Sequence, residues 1–224
     1  MKKIVIIGAN DFQNQLILKA KEMGFETHVF AWQDGSIGER TADYFYPVSI
    51  VEIDEILEKC KEIKPDAVAT IASDLANITV SKVAAGLGLP GNTPECIEIS
   101  TNKYAMRSAF LKAGIPTPAF YKVDQVQDEL YKMKLPVIVK PTDRSGSRAI
   151  TKITDFKDLE GAIQDAVDQS FEKKAIVEEY IEGNEYSYET ISYRGKHTNL
   201  AVTKKYTTGA PHFIETGHCE PSDL

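Results

Sequence analysis

The chain has 224 residues, 42% of them hydrophobic, which is enough for one large domain or two small ones with packed cores and argues against a disordered protein. Its 26 basic and 33 acidic residues give a net charge of −7, which argues against a general nucleic-acid surface. Its three cysteines are odd in number and widely spaced, so they indicate neither a disulfide framework nor a Cys-x-x-Cys metal knuckle, and they favour a reducing, cytoplasmic compartment.

Residues 1–92 alternate strand and helix signals. The first apolar run, Ile4–Gly8, is too short for a membrane span and lacks the pattern of a cleaved leader, so it predicts a first β-strand. An amphipathic helix through Met23 follows, with apolar residues close to every fourth position. Further segments continue the alternation: a strand at Thr27–Trp32, a helix around Ile53–Leu57, a strand at Asp66–Ile71 and a helix at Leu75–Leu87. This order predicts a parallel sheet with right-handed crossovers.

The first strand-to-helix turn contains Gly8, at the place where dinucleotide-binding proteins have the Gly-x-Gly-x-x-Gly pattern. Asn10 and Gln13 occupy the second and third glycine positions, so the close approach of a pyrophosphate is disfavoured. Ser73 and Asp74 follow a predicted strand, where ligands collect at the carboxyl edge of open sheets, but they fit a helix N-cap equally well.

Residues 86–94 are rich in Gly and Pro and predict the boundary between two units. Beyond it the patterns indicate helices at Pro94–Ile99 and Thr101–Ala113, an extended segment at Thr117–Val123 and a short helix at Asp124–Lys132.

The segment 135–150 is predicted to be a strand, a turn and a second strand. Val137–Val139 form a β-branched run, and Lys140 ends it immediately before Pro141, so a cation lies at the end of a buried strand. The loop that follows combines hydroxyl side chains with a permissive glycine, at Thr142, Ser145, Gly146 and Ser147. Backbone N–H groups of such a loop can turn toward a phosphate, whereas a solvated hairpin is the plainer alternative. The second strand is expected at Arg148–Ile150.

A helix is predicted from Asp155 to about Ser170, with Asp155 as its cap, followed by a strand at Ala175–Val177. The strand leads into the sequence EEYIEGNE at Glu178–Glu185. This is a carboxylate-rich turn whose backbone groups could bind a planar ring. After Glu185, three β-runs predict an antiparallel meander.

Four motifs in the same order resemble those of the ATP-grasp ligases, and the resemblance covers essentially the whole chain. Those families place one Lys in the helix before a Gly-Ile-Pro-Thr-Pro segment, which Lys103 matches, and a second Lys at the end of the strand before a glycine loop, which Lys140 matches. Their hinge has an acidic residue, a backbone contact, an apolar residue and a ribose-binding Glu. The hinge of this chain keeps that order in Glu178, Glu179, Ile181 and Glu185.

The resemblance implies a site for ATP with Mg²⁺. Lys103 and Lys140 would offset phosphate charge, and the backbone of Ser145, Gly146 and Ser147 would cradle the phosphates. The hinge would bind the nucleoside: Glu178 would accept from the adenine amino group, Glu185 from the ribose hydroxyls, and the backbone at Glu179 and Ile181 would contact the ring edge. The alternative for each of these side chains is a solvated surface or turn residue.

The resemblance also implies a fold class: an α/β protein with an N-terminal parallel Rossmann-like pre-ATP-grasp domain (1–92), an α+β nucleotide-binding lobe (93–184) and the start of a further antiparallel lobe (185–224).

Two features of this sequence depart from the family pattern. The loop has a single glycine, and Ala149 stands where a Gly is frequent. The metal ligands and catalytic Arg of the family lie on later strands, so they are expected beyond residue 224, and no catalytic residue is assigned here. The chain alone is therefore expected to bind nucleotide weakly and not to turn over.

His212, Glu215 and His218 suggest a metal cluster with Cys219, but a strand would not place all three on one face. Similar segments in amino-acid-ligase-like members line the acyl substrate, which implies that Glu215 and His218 contact substrate.

The first functional hypothesis is an ATP-dependent ligase that joins a small-molecule carboxylate to an amine through an acylphosphate. Carbamoyl-phosphate-synthase-like and amino-acid-ligase-like members are not separated by these motifs. The alternatives are a nucleotide-binding or regulatory module without catalysis and a Rossmann-type dehydrogenase. Neither nucleic acid nor membrane is expected as a partner, and whether the protein forms a homo-oligomer stays open.

Overall fold

A computed structural model describes residues 1–210 and 213–224. The chain divides into two compact units, Met1–Thr101 and Asn102–Leu224. This division by contacts falls about nine residues after the Gly- and Pro-rich boundary expected from the sequence, because the helix that begins at Pro94 packs with the first unit. In the part of the chain that the structure describes, no helix is both long enough and apolar enough to cross a bilayer.

The first unit is a parallel sheet with helices between its strands. Its elements are β1 (Lys2–Ile7), α1 (Asp11–Glu22), β2 (Phe25–Phe30), α2 (Ile37–Thr41), β3 (Tyr44–Tyr46), α3 (Ile53–Ile63), β4 (Ala67–Ala69), α4 (Asp74–Gly86) and α5 (Pro94–Thr101). The strand order is β3-β2-β1-β4, and every pairing is parallel, which confirms the predicted parallel sheet. The central strand β1 is apolar on both faces because helices cover both faces of such a sheet, and Val5, Ile6 and Ile7 are fully buried.

Two elements of the first unit were not predicted. No element was expected between Trp32 and Ile53, whereas this stretch contains the short helix α2 and the three-residue strand β3. Both are too short to show a clear period. Tyr46 of β3 is held by ring stacking on Phe30, at a centroid distance of 4.5 Å, which is a tertiary contact.

The second unit consists of helices and two antiparallel sheets. Its elements are α6 (Lys103–Lys112), β5 (Phe120–Val123), a 3₁₀ turn (Asp128–Lys132), β6 (Val137–Pro141), β7 (Thr151–Ile153), a 3₁₀ turn (Phe156–Asp158), α7 (Leu159–Gln169), β8 (Ala175–Glu179), β9 (Glu185–Tyr193), β10 (Lys196–Thr207) and β11 (Glu215–Cys219). One sheet has the order β5-β8-β6-β7 and the other has the order β11-β10-β9. All pairings are antiparallel, as the meander prediction requires for the last three strands.

Several predicted boundaries in the second unit were wrong. Arg148–Ile150 do not form the second strand of the hairpin, because Ala149 has φ +48° in a turn and β7 begins only at Thr151. The expected helix at Asp124–Lys132 is a 3₁₀ turn over its last five residues. Asp155 does act as a cap, accepting a hydrogen bond from the Lys157 N–H at 3.0 Å, but it caps a 3₁₀ turn, and α7 begins at Leu159.

The sheet β5-β8-β6-β7 has one apolar face, which packs on α7. Val137, Val139 and Val177 on this face are almost fully buried with Leu159 and Ile163 of α7. Burying side chains of this size contributes about 1.5–3 kcal/mol each. Because side chains alternate along a strand, the residues between them face the other side of the sheet, and this opposite face carries the charged groups.

Candidate functional site

Lys140 and Glu178 share the charged face of the sheet β5-β8-β6-β7. The register places Ile138 of β6 opposite Glu178 of β8, so Lys140, two residues after Ile138, lies diagonally next to Glu178 on the same face. The Lys140 ammonium donates a hydrogen bond to Glu178 Oε1. Glu178 is only 5% exposed, so this contact is an ion pair inside the protein and not between solvated side chains.

A second cation reaches the same carboxylate from helix α6. Arg107 Nε donates to Glu178 Oε2 at 2.9 Å. Arg107 was not predicted as a site residue, although the sequence contains a signal for it. Arg107 is four residues after Lys103, and residues four apart lie on the same side of a helix. Each oxygen of Glu178 therefore accepts from a different basic side chain.

The two cations set the ionisation of Glu178. Burial raises the pKa of this carboxyl, but the hydrogen bond from Arg107 and the charge of Lys140 outweigh burial, and the net pKa lies below its ordinary value. At neutral pH Glu178 is thus an ionised group that accepts hydrogen bonds and cannot donate them.

Lys103 begins helix α6 beside the loop that follows β6. Its backbone N–H donates to the Thr142 carbonyl at 2.7 Å, and its ammonium donates to the Arg144 carbonyl at 2.5 Å. The preceding residue, Asn102, caps the helix by accepting from the N–H groups of Tyr104 and Ala105. The cap and the loop contacts together fix the start of α6 at this loop.

The loop itself combines exposed and anchored residues. Ser145 and Gly146 are exposed, and Gly146 has φ +75° in open space, so its backbone conformation rather than steric crowding favours glycine. Ser147 and Ala149 also have positive φ, at +54° and +48°. Positive φ is thus adopted at Ala149, where the resembling families often have glycine. Ser147 Oγ donates to the Phe213 carbonyl at 3.0 Å, which attaches the loop to the segment before β11.

The hinge after β8 lies beside this loop. The Glu179 N–H donates to the Ala119 carbonyl at 2.9 Å, and the Tyr180 N–H donates to the Pro136 carbonyl at 3.2 Å. Ile181 is 64% exposed. The ring of Tyr180 lies 6.4 Å from the ring of Phe213, so the hinge and the loop both contact Phe213.

Glu185, Glu215 and His218 come together around Lys205 in the sheet β11-β10-β9. The register places Lys205 of β10 opposite Glu185 on one side and His218 on the other. The Lys205 ammonium lies 2.7 Å from Glu215 and 3.5 Å from Glu185, and His218 Nε2 lies 3.7 Å from Glu215. Lys205 was also missed, because its opposition to these residues follows from strand pairing and no local motif shows it.

The ion pairs of this group shift the pKa values of two members. Burial lowers the pKa of Lys205, but its hydrogen bond to Glu215 and the two carboxylate charges outweigh burial and raise it. The hydrogen bond from Lys205 lowers the pKa of Glu215. Both groups are therefore charged at neutral pH.

A metal cluster near the end of the chain finds no support in the geometry. Among residues 1–210 and 213–224, no group of three or more His, Cys, Asp or Glu side chains is placed to hold a metal ion. His212 lies outside the described residues. The Cys219 thiol contacts the Pro221 carbonyl at 3.6 Å, and Glu215 is engaged by Lys205.

Two positions in the first unit have structural roles. Ser73 Oγ accepts from the Ala76 N–H at 3.2 Å, so Ser73 is the N-cap of α4. At the turn after β1, Asn10 caps α1, and the buried side chain of Gln13 lies against Gly8, where a Cβ added to the glycine would be 3.0 Å from it. Gln13 therefore fills the space next to this turn.

Comparisons with known proteins show which family this chain resembles. A model of the ATP-grasp domain family matches residues 100–224, more than half of the chain. The chain is 28% identical over 222 residues to 3-methyl-D-ornithine–L-lysine ligase of Methanosarcina barkeri, covering 98% of this chain and 54% of that protein. It is 28% identical over 198 residues to alanine–anticapsin ligase of Bacillus subtilis, covering 77% of this chain and 41% of the relative.

Among solved structures, the L-amino acid ligase from Bacillus licheniformis superposes with a TM-score of 0.85 at 24% identity, covering all of this chain and 55% of that one. This similarity shows that the two share a fold. The chain spans about half the length of the relatives it matches. With the family model covering residues 100–224, the chain belongs to the ATP-grasp family.

Proposed function

We propose that this chain binds ATP in its second unit and that the full protein is an ATP-dependent carboxylate–amine ligase. The observation that supports the proposal most is the meeting of Lys140 and Glu178 on one sheet face, beside the loop that Lys103 anchors. Basic side chains next to a loop with positive φ are suited to phosphates, and an ionised carboxylate at a hinge is suited to an amino group. Names of the relatives, which include several ligases, point to the same activity.

In this proposal the two lysines neutralise phosphate charge. Lys140 weakens its bond to Glu178 and turns its ammonium toward the phosphates. Lys103 provides a second positive charge near them and also holds the loop of Ser145, Gly146 and Ser147 in place. Backbone N–H groups of this loop then donate to phosphate oxygens. The hydroxyl groups of the loop offer further donors.

The hinge receives the nucleoside. Glu178 accepts from the adenine amino group, and the backbone at Glu179 and Ile181 contacts the ring edge. Because the Glu179 N–H is already bonded to Ala119, the carbonyl of Glu179 is the group we assign to the ring. Glu185, at the start of β9, accepts from the ribose hydroxyls.

The chemistry of the full protein is transfer of the γ-phosphoryl group to a carboxylate. The resulting acylphosphate is attacked by an amine, which forms the amide bond and releases phosphate. Positioning and charge stabilisation account for most of such catalysis. We assign Glu215 and His218 to the acyl substrate, and the named relatives suggest that this substrate is an amino acid. A cytoplasmic location and small-molecule partners belong to the same proposal.

Mg²⁺ accompanies ATP in this family, and none of its ligands is assigned among the residues described here. Magnesium beside a nucleotide is usually held by one or two carboxylates together with phosphates and water. Among the described residues, no group of three or more His, Cys, Asp or Glu side chains is placed to hold a metal ion. We therefore assign no step to the metal. With no metal ligand assigned, nucleotide binding without turnover is a second candidate function for the 224 residues taken alone.

Calorimetric titration of the chain with ADP tests the proposal. We expect measurable ADP binding, and we expect Lys140→Gln to weaken it about tenfold or more, because a charge-assisted bond to phosphate is lost. Lys112→Gln removes a positive charge from the exposed end of α6 and is the matched control, with unchanged affinity. Absence of ADP binding to the wild-type chain, or equal losses in both variants, would contradict the proposal.

Release of phosphate from ATP tests whether the 224 residues taken alone bind nucleotide without turnover. We expect the 224-residue chain to bind ATP without releasing phosphate above the uncatalysed rate. Steady turnover that Lys140→Gln abolishes would reject nucleotide binding without turnover as the function of this chain.

A further inference from the structure

We propose that Arg107 is a positioning residue that makes the nucleotide site selective for adenine over guanine, by holding the Glu178 carboxylate as an acceptor. The inference rests on the proposed function, since it concerns the same site. It adds a residue that neither the family resemblance nor the sequence motifs assign to nucleotide binding. The selectivity depends on what Glu178 can offer to the six-membered ring of a purine.

The Glu178 carboxylate has acceptor capacity beyond its two present bonds. A carboxylate has about four acceptor positions, two on each oxygen. Lys140 uses one position on Oε1 and Arg107 uses one on Oε2, at 2.9 Å. The adenine amino group can fill a remaining position. Guanine has a carbonyl oxygen at the equivalent carbon, and two acceptors facing each other repel.

Arg107 differs from Lys140 in what it does when nucleotide binds. In the proposed function Lys140 turns toward the phosphates, so its hydrogen bond to Glu178 weakens when nucleotide binds. Arg107 extends from α6 and keeps Oε2 in place, with 24% of its side chain exposed. A guanidinium remains charged at every relevant pH, so the restraint on the carboxylate is permanent.

Loss of Arg107 would change the chemistry that Glu178 presents. Glu178 is 5% exposed, and burial favours the protonated form once the restraint is removed. A protonated carboxyl group donates a hydrogen bond and can therefore accept guanine as a partner. Without Arg107, the charged groups that share the sheet face of Glu178 are Lys140 of β6, Lys122 of β5 and Lys152 of β7, as the strand register shows. Lys152 lies 3.6 Å above the Tyr180 ring, directed at the hinge.

Titrations with ADP and GDP between pH 5.5 and 8 test the inference. In the wild-type chain we expect ADP to bind more tightly than GDP, with a ratio that is nearly independent of pH. In Arg107→Gln we expect the ratio to fall about tenfold, the value of one hydrogen bond to a charged group, and to fall further as the pH decreases. Arg107→Lys keeps the charge and should restore most of the selectivity. Lys112→Gln on the same helix should leave it unchanged.

A double-mutant cycle shows whether Arg107 acts through Glu178. We expect Glu178→Gln alone to reduce the ADP-to-GDP ratio, and we expect Arg107→Gln to have no further effect on the ratio in that background. If Arg107→Gln alone is too unstable to titrate, comparing Glu178→Gln with the double variant still tests the inference, because a further fall of the ADP-to-GDP ratio in the double variant would contradict it.

The failures of the two proposals are distinguishable. If the wild-type chain binds neither ADP nor GDP, the proposed function is wrong and this inference falls with it. If the wild-type chain prefers ADP and Arg107→Gln weakens ADP and GDP equally at every pH, nucleotide binding stands and the role of Arg107 in selectivity is refuted. The role in selectivity would also be refuted if Arg107→Gln changed the ADP-to-GDP ratio equally in the wild type and in Glu178→Gln.

Discussion

At the scale of single residues, Glu178 is the group whose surroundings are most unusual. It is almost completely buried, yet Lys140 and Arg107 keep it ionised by bonding to separate oxygens. Removing one partner of such a buried group is more costly than removing an exposed ion pair, because the remaining charges lose their compensation. Lys140 and Glu178 could be identified from the sequence, since each stands at the end of an apolar strand. Arg107 was missed: its place four residues after Lys103 on the same helix was a signal, but nothing local connects it to a residue 71 positions later.

We expect Glu178→Gln to lower the free energy of unfolding by about 2 kcal/mol at pH 7, because two cations lose their carboxylate. The folded pKa of Glu178 lies below its ordinary value of 4.5, so its stabilising effect is complete above pH 4.5 and is lost as the pH falls through the lower folded pKa. The difference between the variant and the wild type should therefore shrink below about pH 4.5.

Urea unfolding at several pH values measures this difference. Glu182→Gln, at an exposed position of the same hinge, is the matched control and should stay within about 0.5 kcal/mol of the wild type. A constant difference across the pH range would show that Glu178 does not stabilise the fold as an ionised group.

At the scale of elements, the sequence predicted those with a strong period or clear end signals. Strands β1, β2 and β8 and helices α1, α4 and α6 lie close to their expected positions, because each has an apolar pattern and a cap or breaker at its end. Tertiary contacts determined the rest: β3 is held by ring stacking, and β7 is displaced by the turn at Ala149. The group around Lys205 could not be predicted from the sequence for the same reason, since strand pairing brings Glu185 and Glu215 together across 30 residues of chain.

We expect Lys205→Gln to destabilise the sheet β11-β10-β9 locally. Its removal leaves Glu185 and Glu215 without their shared cation, and because both carboxylates are about half exposed, we expect a loss of only about 0.5–1 kcal/mol. The pKa of Glu215 should rise toward its ordinary value, since the Lys205 hydrogen bond is the main cause that lowers it.

Carbon NMR titration of the Glu215 carboxyl and amide exchange of β11 measure these two effects. Lys196→Gln, at the exposed start of β10, is the control and should leave both unchanged. An unaltered Glu215 titration in Lys205→Gln would mean that the ion pair does not persist in solution.

At the scale of the whole molecule, two units carry turns that could meet a phosphate. The turn at Gly8 in the first unit is filled by Gln13 and capped by Asn10, which disfavours a dinucleotide there. The loop after β6 in the second unit has positive φ residues beside two lysines, and the family model covers this unit. The family could be identified from the order of four motifs.

Amide hydrogen exchange of the 224-residue chain, with and without ADP and Mg²⁺, tests the central claim most directly. The account predicts that ADP slows exchange in two separate segments of the second unit, Lys140–Ser147 and Glu178–Glu185, and leaves the turn at Gly8 unchanged. Slower exchange at residues 7–14, with no change in those two segments, would contradict it.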